Sequence, residues 1–85
     1  MELPSFDPQW SDYRKALYYD ESGNWNKAHD IVDQINDRAA SHIHAYLHRK
    51  EGDAWNANYW YSRANQAVCT DSLATEWSKL WSLYE

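Results

Sequence analysis

Only two glycines occur in the 85 residues, Gly23 and Gly52, and they stand 29 positions apart. A chain this poor in glycine turns sharply in few places, so the two glycines mark its punctuation. The spacing is echoed around them. Ala16 maps onto Ala45 and Ala74, Asn24 onto Asp53, and Ala28 onto Ala57. Small residues recurring at a fixed period imply stacked helical units, each burying its apolar face against the next.

The segments between these marks carry helical spacing and no alternating stretch. Asp7-Pro8 reads as a cap followed by a proline at the first helical position. Trp10, Tyr13, Ala16 and Leu17 then recur at helical intervals up to Gly23. Asn24 opens a second helix with Ala28, Ile31, Val32 and Ile35 on its apolar face. Asn36-Asp37 recaps into a third, carrying Ala40, Ile43, His44 and Leu47. Asp53 opens a fourth with Ala57, Trp60, Tyr61, Ala64 and Val68, and Asp71 or Ser72 a fifth with Leu73, Trp77, Leu80, Trp81 and Tyr84. The expectation is an all-α fold of five antiparallel helices. A single domain spans 1–85, with repeats at about 9–36 and 37–69 and a capping helix at about 72–84.

Composition narrows the classes. Thirteen acidic residues face eight basic ones, for a formal charge of −5, and no basic run exceeds Arg49-Lys50. That disfavours nucleic-acid binding, which depends on neutralising phosphates. Six Trp, seven Tyr and one Phe outnumber the aliphatic Leu, Ile and Val, so large amphipathic rings carry the core. Mean hydropathy is −0.94. No apolar stretch approaches the roughly 20 residues that cross a bilayer. The start of the chain lacks the basic and apolar regions of a signal peptide, so a cytoplasmic location without membrane contact is expected. Cys69 is the only cysteine and reads as a small hydrophobe.

Gly52-Asp53-Ala54-Trp55-Asn56-Ala57, with Tyr61 and Ala64 following, resembles the second helix of a tetratricopeptide repeat. Gly23, Ala28, Val32 and Ile35 follow the same grid, and Ala16 and Ala45 match the family's small residue in the first helix. The period of 29 is shorter than the family's 34, and no proline closes either repeat. The resemblance implies a right-handed stack of two helical pairs plus a capping helix. It also implies a groove lined by first helices. A second stretch, Ile43-His44-Ala45-Tyr46-Leu47-His48-Arg49-Lys50-Glu51-Gly52-Asp53 continuing to Asn58-Tyr59-Trp60-Tyr61, resembles a signature of small uncharacterised bacterial proteins. Those proteins often carry Arg where Ser62 stands here. This likeness implies a fold and no activity.

The groove reading sets Trp10, Tyr13, Leu17, Asp20 and Glu21 beside Ala39, His42, Tyr46, Arg49 and Lys50. An aromatic floor between an acidic and a basic edge suits an extended peptide or a partner helix. A non-enzymatic protein or peptide interaction module is therefore the leading expectation. Its partner-binding residues are Tyr13, Asp20, Glu21, His42, Tyr46, Arg49 and Lys50. The other reading concerns histidines. His44 and His48 are four apart on one helix face, and counting across Asn36-Asp37 brings His29 level with His44, with Glu51 one turn beyond His48. Hydrogen-bonded core histidines are the plain interpretation. A metal or small-ligand site, with or without acid–base or hydrolytic chemistry, is the alternative. The His-Glu-x-x-His pattern of metalloproteases is absent, as are phosphate loops, nucleophile elbows and diagnostic carboxylate dyads. No cofactor and no resident metal are expected, and enzyme status leans negative. Homodimerisation through Trp55 and Tyr59, or through Trp77, Trp81 and Tyr84, is a further expectation.

Overall fold

The computed structural model describes residues 3–85. Among them are five α-helices and no strand: α1 (Asp12–Glu21), α2 (Trp25–Asp33), α3 (Arg38–Lys50), α4 (Ala54–Arg63) and α5 (Leu73–Leu83). No helix is long and apolar enough to cross a membrane. The all-helical expectation holds.

Each helix starts on a side chain that satisfies an orphan N–H. Ser11, Asn24, Asp37, Asp53 and Ser72 accept from the backbone N–H of Arg14, Lys27, Ala40, Asn56 and Thr75 respectively. The expected start at Asp7-Pro8 is corrected. Asp7 does accept from the N–H of Gln9 and Trp10, but this forms one isolated turn. Helix α1 begins only after Ser11, and Trp10 lies outside it, edge-on to Trp81.

The 29-residue echo has a physical basis. Gly23 and Gly52 follow α1 and α3 with φ of +89° and +87°. At each end the glycine N–H reaches back to Asp20 or Arg49, and the next N–H, of Asn24 or Asp53, to Tyr19 or His48. This paired pattern satisfies the last carbonyls of a helix and needs a left-handed residue. Asn24 and Asp53 then cap the following helix, so one residue both ends and starts an element. Helix α4 ends the same way on Asn65, at φ 57°. Its expected extension to Val68 is therefore corrected. Val68 and Cys69 lie in the connection to α5.

Helix α3 is the centre. It packs against α1, α2, α4 and α5, and α1 pairs with α2. The main core joins Ala16, Leu17, Ala28, Val32, Ile43, Tyr46, Leu47, Trp77 and Leu80, and a smaller one joins Ala45, Ala57 and Tyr61. Helix α5 lies across α1 and α3 and reaches α4 through the Tyr61 hydroxyl on Glu76. Trp77 is inside, donating to the Leu17 carbonyl at 3.0 Å, and Trp81 and Tyr84 are partly covered. The dimer surface expected at Trp77, Trp81 and Tyr84 is thus mostly packed within the chain.

A Cβ added at Gly52 meets nothing within 4 Å, so substitution there tests backbone conformation alone. Gly52→Ala should cost about 1–2 kcal/mol, the price of a left-handed L-residue. In a domain this small each kcal/mol lowers Tm by roughly 4–8 °C. Gly52→Asn should lose less, as measured by thermal unfolding.

Candidate metal centre

Three imidazoles meet where α2 crosses α3. His29 follows Trp25 by one helical turn, so both face α3. The Trp25 indole N–H donates to the Leu47 carbonyl at 2.8 Å, fixing α2 against α3. Its ring stacks on His29 with centroids 5.0 Å apart. His44 and His48, one turn apart on α3, stack at 4.9 Å. Nε2 of His29 lies 2.9 Å from Nε2 of His44, and each of the three rings places a nitrogen within 4.8 Å of the others.

Two neighbours fix ring orientation. Oε1 of Glu51 lies 2.6 Å from Nδ1 of His48, so Nδ1–H donates to the carboxylate and Nε2 is left as a ligand atom. Trp60 of α4 stacks on His44 with centroids only 3.9 Å apart and planes 14° from parallel. His44 and His48 are both buried, His44 the more deeply at 2% exposed, while His29 is reached by solvent. The sequence sets Trp60 beside the core stripe of Ala57, Tyr61 and Ala64, and assigns Trp25 no role as a wall. The Trp25–His29 spacing of one turn was the signal available for it.

Burial pushes the His44 imidazole down from 6.5 to about 4, and the neighbouring His29 and His48 add to the effect. Asp33 opposes it. Near neutrality His44 is therefore a free base. Carboxylates gather around the rings. Asp30 lies 3.9 Å from Nδ1 of His29, and Glu51 and Asp53 group with His48. Hydrogen bonds from the Asn56 side chain and backbone hold Asp53 below the usual carboxylate range.

Ring nitrogens with carboxylates beside them suit a cation. Tetrahedral ligation with metal–nitrogen bonds of about 2.0–2.1 Å sets ligand nitrogens about 3.3–3.4 Å apart. The separations here, from 2.9 Å to at most 4.8 Å, bracket that value. Small ring rotations suffice to reach it.

The residues expected on a peptide groove are placed otherwise. Asp20 and Tyr46 are buried, with the Tyr46 hydroxyl donating to Oδ2 of Asp20 at 3.0 Å and Lys50 reaching Oδ1 at 3.1 Å. Burial and the adjacent Asp20 raise the Tyr46 phenol far above its ordinary range. Arg49 pairs with Glu76 of α5 at 2.9 Å and also donates to the Asp71 carbonyl. The hydroxyl of Tyr84, the residue that closes α5, lies 2.9 Å from Nδ1 of His42, whose pKa burial lowers. Tyr13 donates to Asp37, while Glu21 and Lys50 remain exposed. Helix α5 occupies the face where the groove was expected, and Asp20 and Tyr46 are closed off from a ligand.

No protein-family model, curated protein or solved structure matches the chain. The chemistry of the site thus rests on its own geometry.

The depressed His44 value has a stability consequence with a defined sign. The unfolded chain binds this proton more readily than the folded one, so stability is full above pH 6.5 and falls as pH drops toward 4. The interval corresponds to about 3 kcal/mol. Urea unfolding between pH 7 and pH 4 should show this loss, and His44→Gln should flatten the slope.

Proposed function

We propose that this chain is a small helical-repeat protein that binds one transition-metal ion through His29, His44 and His48. The convergence of three ring nitrogens within 4.8 Å is the observation that carries the reading. An all-imidazole set selects zinc, copper or nickel over magnesium or calcium, which prefer oxygen. Glu51 acts as the outer partner that orients His48, an arrangement that raises ligand basicity. Three protein ligands leave a fourth position for water or a small ligand. The reading is of metal binding.

The scaffold is read as tetratricopeptide-like, with two helical pairs of a 29-residue period. Its supports are the matched left-handed glycines and the buried pairs Ala16 with Ala45 and Ala28 with Ala57. The departure from that family is α5, which lies over the first-helix face. An ion held by His29 of the first pair and by His44 and His48 of the second would join the two.

Calorimetric titration of the metal-free chain with Zn²⁺ should give one equivalent bound, and Co²⁺ should give the visible spectrum of tetrahedral ligation. At a free ion concentration of 100 times Kd the folded state gains about 2.7 kcal/mol, which EDTA should reverse. His29→Gln, at the solvent-reached ligand, should keep the fold and lose most of the binding. Unchanged melting with excess Zn²⁺, with no binding heat, refutes the reading.

A further inference from the structure

The chain carries all its carboxylates outside residues 54–70, where Arg63 is the sole charged side chain. In a molecule with thirteen acidic residues, α4 and the start of the connection after it contribute no acidic side chain of their own. The outer face of α4 shows the most exposed indole of the structure's large hydrophobic residues. Trp55 is 76% and Tyr59 45% exposed, with ring planes 12° apart and centroids 6.4 Å apart. At that exposure at least one face of the Trp55 ring is bare.

Farther along the same helix lies a shallow concavity of about 450 Å³, lined by Asn58, Tyr61, Ser62, Asn65, Gln66, Ala67 and Val68. Trp55, Asn58, Tyr59 and Ser62 share one stripe of the helix, at intervals of three and four. The polar groups of the concavity are amides and hydroxyls, each offering both a donor and an acceptor. None is charged.

From this combination we infer that the outer face of α4 binds an uncharged, polyhydroxylated ligand, namely a neutral oligosaccharide. One face of a pyranose ring presents weakly positive C–H groups, which the negative face of an aromatic ring attracts. Vicinal hydroxyls need neighbouring groups that both donate and accept, which Asn58, Asn65 and Gln66 supply. Charged ligands fit less well. A polyanion requires several cations, and the single Arg63 already donates to Asn36 and to the Tyr59 hydroxyl, both at 3.1 Å. A cationic ligand finds no carboxylate on α4 itself. An amphipathic partner helix requires a long apolar stripe, whereas amides interrupt this one. Trp60 divides the face from the histidine centre, stacking on His44 and meeting Tyr59 edge-on. The inference therefore stands independently of metal binding.

The test uses the full chain, with tryptophan fluorescence and calorimetry, titrated with cellohexaose and maltohexaose. A charged hexa-galacturonate and a proline-rich peptide serve as comparisons. Saturable binding of a neutral hexasaccharide is expected, weakened about tenfold or more by Trp55→Ala and several-fold by Gln66→Ala. Both substitutions are on the surface, and unchanged circular dichroism verifies the fold. Absence of binding to either neutral sugar at about 10 mM overturns the inference. So does binding that survives Trp55→Ala, or tighter binding of the charged sugar or of the peptide.

Discussion

The enclosure of α3 by all four other helices is the constraint on which the rest of the structure depends. Its buried residues include Ser41, His44, Tyr46 and His48 beside Ile43, Ala45 and Leu47. A polar group inside a core is costly unless a partner meets it, at about 1–3 kcal/mol for each one left unmatched. Helices α1, α2 and α5 accordingly supply partners. Helix α1 brings Asp20 to Tyr46, and α2 brings His29 to His44. Helix α5 brings Glu76, which accepts from Arg49 of α3 and Tyr61 of α4. The fold is in this sense specified by polar matching as much as by apolar burial.

These partnerships differ in chemical character. Around Asp20 and Glu76, anionic acceptors meet hydroxyl and cationic donors, and the charge is matched within the core. The histidine trio instead brings together three bases, and desolvation together with mutual repulsion opposes protonation of the innermost one. The cluster thus keeps the lone pair of its innermost member unprotonated near neutrality. Its surrounding rings, Trp25 and Trp60, limit motion by stacking, so the bases are held in place before anything binds.

Much of this was legible in the sequence, because the signals were local. Asn24, Asp37, Asp53 and Ser72 announce helix starts by a side chain that reaches two or three residues ahead. The coming together of His29, His44 and His48 followed from counting across one tight connection. What was not legible depended on distant packing. Asp7 has the right chemistry for a cap, but the chain resumes its helix only after Ser11. The end of α4 turned on Asn65 adopting the left-handed region, which asparagine does readily but does not advertise. The path of α5 was the largest surprise, since an extended connection from 66 to 71 lets it fold back over α1 and α3. That return path turns Asp20 and Tyr46 from surface candidates into interior residues.

The double duty of Asn24 and Asp53 leaves the chain without slack. Each closes one helix through its own N–H and opens the next through its side chain. One residue inserted there would turn the following helix by about 100° about its axis, as 3.6 residues per turn requires. At the first junction this would swing His29 away from α3. At the second it would carry Trp60 off His44. Sequence length at these two places is thus under tighter restraint than sequence identity, and variation in the protein should accumulate by substitution around the junctions, with insertions confined to the long passage between α4 and α5.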